Sequence, residues 1–436
     1  MRAETDNLMP GSGLRDRRYS LREGGCQPLR SGFSLVVGLV VCWTLAIGGT
    51  SGQAWAETAE RPAEATERQA EPAHEADESL CRIKFHLDGQ DHDVTGRVLV
   101  QAQDGGVLLE GRDGTLWPVT GEQVKSREPV TGKFEYYSAK ELSEKLLEEV
   151  PEGFRIHQTA HYVICYNTSR AYAQWCGALF ERLYRSFGSF FENREHKLRT
   201  PPPLVALVFQ DQKSYEEYGR PEVKEGIQTI IGYYSLRTNR IATYDLTGLG
   251  NRDDGANGAL MQRINQLLDD PRAERTVATL IHEATHQLAF NCGLQTRFAD
   301  VPLWYNEGMA MFFETPDPRN RRGWRSVGGV NYTRLGQFRD HLKGRSADSL
   351  VTLLIDDHRL RDSNQAEVGY AESWALCYFL IKTRKQQFIE YSHMLSAKRP
   401  LEKVTADERL REFQQIFGTD LAALDAEFLR FMEKVK

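Results

Sequence analysis

His282-Glu283-Ala284-Thr285-His286, followed by Trp304-Tyr305-Asn306-Glu307-Gly308, is the stretch on which the reading of this chain turns. On a helix, residues four apart present their side chains from one face, one turn apart. The two imidazoles can therefore reach a single Zn²⁺ at roughly 2.0–2.1 Å. Glu283 lies beside them, placed to take a proton from a metal-activated water. Twenty residues intervene between His286 and Glu307, which can supply a third ligand. Three protein ligands with a fourth position open is the pattern of a catalytic zinc rather than a structural one.

Taken alone, an HExxH string also fits a surface helix with two solvated histidines. Its surroundings argue for the metal. Val277, Ile281, Ala284 and Leu288 fall at i, i+4, i+7 and i+11, a buried helical stripe. The histidines lie off that stripe and are expected to face a cleft. Asn291-Cys292-Gly293 then places a glycine where a left-handed helix cap is wanted. Asp300-Val301-Pro302 opens a second helix, with proline near its first position and Glu307 in its early turns.

The HEATH and WYNEGMAMFFE segments together resemble the gluzincin metallopeptidases, most of all the peptidase-MA-like families and more distantly the alanyl-aminopeptidase type. The resemblance spans roughly residues 155–436 and is sharpest over 276–315. It implies one Zn²⁺ per chain, held by His282, His286 and Glu307, with Glu283 as general base. Glu314, seven residues past Glu307 and on the same helix face, resembles the carboxylate that orients a ligand histidine; a solvated end-of-helix glutamate is the competing reading. Tyr370 opens Tyr370-Ala371-Glu372-Ser373-Trp374-Ala375-Leu376, which resembles the helix start that follows the zinc ligands in peptidase-MA-like proteins. Tyr370 would then donate to the tetrahedral oxyanion. Among 17 tyrosines, a packing role is the alternative. Tyr332 and His358 are weaker candidates. The strand around Gly232-Tyr233-Tyr234-Ser235 is implied to be an edge that pairs antiparallel with an extended substrate; a bulge at Gly232 is the other reading. The aminopeptidase branch carries a GxMEN segment there, and this chain does not, which favours an endopeptidase. Histidines 157, 161, 341, 358 and 393 lack ligand spacing.

Composition bounds the rest. At 436 residues and 40% hydrophobic content the chain can hold more than one domain. Its net charge is −6 and no dense basic stripe appears, so a nucleic-acid partner has little support. No phosphate-cradling glycine loop and no CxxC pair occurs. Residues 1–56 read as a signal peptide or N-terminal anchor: arginines 15, 17, 18, 22 and 30 precede the apolar run Phe33 to Ile47, and Ala54-Trp55-Ala56 suggests cleavage before Glu57. Uncleaved, residues 33–47 would tether the chain to a membrane. Either way the protein is expected to be exported, whether secreted, periplasmic or at the cell surface. Residues 57–79 are Ala, Glu and Pro with almost no large apolar side chain, a disordered linker. Cys81, Cys165, Cys176, Cys292 and Cys377 remain after the leader; the odd number leaves one unpaired, and a Cys165–Cys176 bridge is conceivable.

Residues 80–130 read as a small all-β domain, with short runs CRIKFHL, GRVLVQA, GVLLEG and TLWPV between Asp-Gly and Gly-Gly turns. It is either a binding module or a packing extension. A charged amphipathic helix follows at 138–150. The domain over 150–436 begins with a strand at 160–166 and a helix at 169–192, apolar at Ala173, Trp175, Leu179, Leu183 and Phe187. A strand at 204–209 follows, then a hairpin of 230–236 and 240–245 turning at Thr238-Asn239. Residues 247–274 are a polar insertion, a lid or a passive loop, and the chain is mostly helical from 332. The expected class is α+β: a zincin-like (gluzincin) domain with a mixed sheet and the HExxH helix beneath it. The expected function is zinc-dependent hydrolysis of a peptide or protein substrate. The alternative is a non-catalytic, zinc-stabilised binding or scaffold protein with Cys292 closing the fourth position; an amidase acting on cell-wall peptides is a lesser variant.

Overall fold

The computed structural model describes residues 79–192, 197–248, 262–264, 266, 274–316 and 327–436. The leader, the linker up to residue 78 and most of the 247–274 insertion lie outside the described residues. Among the described residues no helix is long and apolar enough to cross a membrane.

The first five strands build an antiparallel sheet of their own: β1 (Ser79–Leu87), β2 (Gln90–Gln101), β3 (Val107–Gly111), β4 (Leu116–Val119) and β5 (Val124–Lys133), in the order β4-β3-β2-β1-β5. Asp88-Gly89 turns β1 into β2 with both φ angles positive (53° and 77°), the left-handed geometry that Asp-Gly tolerates in a two-residue hairpin. Alternation sends Cys81, Ile83 and Phe85 inward against Val107, Leu109 and Val119. The N-terminal all-β region is thus as expected, and its last strand runs to Lys133.

The second sheet is mixed. Its elements are α1 (Ala139–Glu149), β6 (Arg155–Gln158), β7 (Tyr162–Tyr166), α2 (Arg170–Phe191), β8 (Leu204–Phe209), α3 (Gln212–Val223), β9 (Gly232–Tyr234) and β10 (Arg240–Tyr244). The strand order is β6-β7-β8-β10-β9, with β7, β8 and β10 parallel and the two outer pairs antiparallel. Both faces are covered, so β7 and β8 are apolar throughout. Tyr162, Ile164, Leu204, Ala206, Val208 and Ile241 face α2 and the HExxH helix. Val163, Cys165, Val205, Leu207 and Ala242 face α1 and α3 on the other side. This parity rules out the Cys165–Cys176 bridge: Cys165 faces one layer, and Cys176 sits on α2 in the opposite one. All five described cysteines are buried free thiols.

The HExxH helix α4 (Glu274–Asn291) carries the expected stripe, with Val277, Ile281, Ala284 and Leu288 buried. Gly293 follows with φ 84°, the anticipated left-handed cap. One expectation changes: from Leu280 to Cys292 the helix is buried all round, so the histidines are enclosed rather than set on an open cleft. The helix α5 (Leu303–Phe313) starts at Pro302, which has no side-chain acceptor to cap it. Asp357 supplies the acceptor from elsewhere in the chain, taking the Leu303 N–H at 2.9 Å. The rest is helical: α6 (Tyr332–His341), α7 (Ser349–Ile355), α8 (His358–Arg361), α9 (Ala366–Thr383), α10 (Lys385–Ser396), α11 (Ala406–Phe417) and α12 (Leu421–Lys434).

These helices converge on Glu372 of α9, which is fully buried. Its carboxylate accepts from Arg345 Nε (2.8 Å), Arg359 Nη1 (2.9 Å) and Ser349 Oγ (2.8 Å). Burial opposes its charge, but the nearby His341 and the two guanidiniums prevail and hold its pKa at about 2. Because the folded value lies below the unfolded one, this group's contribution is complete above about pH 4.5 and is lost as pH falls through about 2. Glu372→Ala leaves the Arg359 guanidinium without its carboxylate, while Arg345 keeps Asp425, and is expected to cost about 3–5 kcal/mol. Urea denaturation at neutral pH measures this, and a loss below 1 kcal/mol would refute the assignment.

Candidate metal centre

The centre forms where α4 passes beneath β9 and meets α5. His282 and His286 lie one turn apart with ring centroids 4.8 Å from each other. Glu307, in the second turn of α5, approaches both: its Oε2 is 3.3 Å from His282 Nε2, and its Oε1 is 3.7 Å from His286 Nε2. One ligand atom from each of the three residues falls within 4.8 Å of the others, a group that could hold a metal ion. Their burial is nearly complete, at 1%, 2% and 1% exposure.

Both imidazoles have fixed tautomers. The Glu314 carboxylate accepts from His282 Nδ1 at 2.6 Å, and Asn306 Oδ1 accepts from His286 Nδ1 at 3.1 Å. With the proton on Nδ1, each Nε2 presents its lone pair to the centre. Glu314 is held in turn by Asn331 Nδ2 at 3.0 Å. The His286 Nε2 has no hydrogen-bond partner in a buried setting. A buried acceptor of that kind costs free energy unless a cation or a donor meets it. The donor set of two imidazoles and a carboxylate suits zinc and neighbouring first-row dications.

Glu283 is also buried and is tethered by one oxygen only. Its Oε2 accepts the Tyr234 N–H at 2.9 Å, while its Oε1 has no partner. Burial pushes its carboxyl up to about 8; His282 and the Tyr234 N–H oppose the shift, and Glu307 and Glu314 add to it. Burial pushes His286 down to about 4, with Glu307 opposing. Without a metal, burial therefore favours the protonated form of Glu283 and the neutral form of His286.

Residues 276–402 match a family model described as "Protein of unknown function (DUF1570)". The match contains every residue of the His–Glu group together with Glu314 and Tyr370. No curated protein matches the chain.

Of the residues named from sequence, the structure brings His282, His286, Glu307, Glu283 and Glu314 together. Gly232, Tyr233 and Tyr234 form β9, the edge among the described strands, with regular pairing to β10 and no bulge. All three are buried, and the Tyr234 amide is already used by Glu283. Tyr370 is buried in the first turns of α9, with the Arg334 guanidinium 5.5 Å from its ring centroid. It lies three and seven residues before Ser373 and Cys377, which face α5 where α9 crosses it at Gly308. A Cβ on Gly308 would come within 2.4 Å of Cys377 Sγ and 2.6 Å of the Ser373 carbonyl. Tyr332 is 66% exposed and His358 is exposed; neither belongs to the metal group. Nor does Cys292, whose thiol is pushed up to about 12 by burial, with Arg199 opposing. Sequence reasoning missed Asn306, Asn331 and the Tyr234 amide. Adjacency to Glu307 was the available signal for Asn306; the other two contacts are long-range and leave no local pattern.

Two outcomes follow from this geometry. Asn306→Ala and Glu314→Ala should each weaken binding of a divalent metal by roughly 10–100-fold, since each releases an imidazole from its tautomer. Competition titration against a chelating dye reads this, and unchanged affinity in both would refute the orienting role. Metal binding at pH 7 should also release roughly one proton, because a dication lowers the Glu283 pKa from its raised value. Calorimetry in buffers of different ionisation enthalpy detects the proton, and Glu283→Gln should abolish it.

Proposed function

We infer that this protein is an exported zinc peptidase of the gluzincin type, hydrolysing internal bonds of peptide or protein substrates. The observation that carries the reading is the convergence of His282, His286 and Glu307 beside a glutamate with one carboxylate oxygen held and the other without a hydrogen-bond partner. A site built only for stability has no use for such a glutamate. The mixed sheet with α4 beneath it and an antiparallel edge strand is the layout a zincin needs. The apolar run at 33–47 supports export.

His282, His286 and Glu307 would hold the zinc, which when bound supplies a Lewis acid that acidifies water and polarises a carbonyl. Glu283 does the proton work. Its Oε1 takes the proton from the attacking water and later gives it to the leaving amine. The Tyr234 N–H keeps Oε2 fixed, so the carboxylate turns about one anchored oxygen. Glu314 and Asn306 hold the imidazoles in register. Tyr370, in the first turns of α9 beside Arg334 of α6, is the candidate donor to the oxyanion. β9 is the candidate strand for backbone pairing with an extended substrate. Absence of a GxMEN segment, whose glutamate would hold a substrate amino terminus, favours cleavage within chains.

The test compares wild type with Glu283→Gln for metal content and casein hydrolysis. Both should retain zinc, and the variant should lose at least roughly 10²-fold in rate. A variant as active as wild type would overturn the general-base role, and a wild type that binds no divalent metal would overturn the whole reading.

A further inference from the structure

Among the described residues, the N-terminal β-sheet meets the turn between β9 and β10. The β4 residue Leu116 donates its N–H to the Arg237 carbonyl at 2.7 Å. The neighbouring Leu236 carbonyl accepts from Arg297 Nη1 at 3.2 Å. Arg297 lies in the loop between α4 and α5, and its Nη2 donates to Glu110 Oε1 of β3 at 3.0 Å. Glu110 is buried and firmly held, accepting from Arg97 Nε (2.9 Å) and the Tyr136 hydroxyl (2.9 Å). Gly114, at the β3–β4 turn with φ 82°, lies beside Asn239; a Cβ there would sit 3.2 Å from Asn239 Nδ2.

Asn239 is the second half of the connection. It turns the chain with φ 61° and is buried. Its side chain exchanges two hydrogen bonds with Asn291 at the end of α4, of 2.8 and 2.7 Å. Its carbonyl accepts from Gln287 Nε2 at 2.9 Å, one residue past His286. Its Oδ1 also accepts the Tyr234 hydroxyl at 2.7 Å. Tyr234 is therefore fixed at both ends, by its hydroxyl to Asn239 and by its amide to Glu283.

We propose that the β-module is a positioning element for Glu283: through Leu116, Gly114 and the Glu110–Arg297 clamp it fixes the 236–239 turn, and the turn fixes the Tyr234 amide that holds the Glu283 carboxylate. This use of β4 makes the module part of the site rather than a freely attached binding domain. The proposal rests on Glu283 acting at this centre but needs no hydrolysis for its test.

The experiment is peptide-resolved hydrogen exchange on the full chain, with Arg297→Met and Gly114→Ala. The first removes both clamp bonds at similar volume; the second strains the β3–β4 turn and crowds Asn239 without touching a charge. Each should speed exchange of the Tyr234 and Ser235 amides by roughly tenfold while leaving β7 and β8 as in wild type. Where hydrolysis is measurable, kcat should fall with KM unchanged. Unchanged exchange at Tyr234 in both variants, or acceleration spread evenly over the sheet, would overturn the proposal. Selective acceleration in a chain with no peptidase activity would uphold the positioning role and sink the peptidase reading alone.

Discussion

Burying two imidazoles and two carboxylates in one small volume is the constraint on which the rest of this structure depends. His282, His286, Glu283 and Glu307 all lie at 1–2% exposure beneath a sheet whose facing side chains are apolar. Charges and lone pairs in such a place destabilise a fold unless partners meet them. Part of the compensation is visible: each Nδ1 has an acceptor, and one oxygen of Glu283 has an amide. The uncompensated remainder includes His286 Nε2 and Glu283 Oε1, beside the place a dication would take. Local violations of this kind, in an otherwise consistent core, are where chemistry is expected.

The remainder of the fold serves to bring α5 against α4 accurately. α5 is buried from Trp304 to Phe313 and has no polar face of its own. Its depth is set by Gly308, which lets the α9 backbone approach where any side chain would collide. Its start is set by Asp357, which is also bound by Arg409 Nη1 at 3.0 Å, while Arg409 pairs with Asp300 just ahead of the helix. The glycine of the Asn306-Glu307-Gly308 triplet therefore answers to helix packing, while Asn306 and Glu307 answer to the His–Glu group.

Much of this was legible in the sequence because it follows from period and spacing. The i, i+4 histidines, the Val277–Leu288 stripe, the Gly293 cap and the alternation in β7 and β8 are local regularities, and each predicts an element by itself. Glu314 was reachable because seven residues along a helix return to the same face. What escaped depends on which distant segments meet. The Tyr234 amide, Asn331 and the Asp357 cap are each supplied from far along the chain. The histidines proved enclosed because α4 is covered on every side, which a single stripe cannot reveal. The Cys165–Cys176 bridge failed on sheet parity, a property of which helix covers which face.

Two buried glutamates show how the same fold separates structure from chemistry. Glu372 and Glu283 share a residue type and near-total burial, yet their carboxyls are held at about 2 and about 8. Burial acts on both in the same direction, so the difference comes from partners. Glu372 meets two guanidiniums and a serine hydroxyl, which leave it a permanent anion with no capacity to exchange a proton near neutrality. Glu283 meets one backbone amide and two other carboxylates, so its affinity for a proton stays high. A cation held by His282, His286 and Glu307 would lower that affinity, and in the proposed hydrolysis it would bring Glu283 to where a proton can be both taken and returned. The β9 strand matters for the same reason. It supplies enough hydrogen bonding to aim Glu283, and too little to quench it.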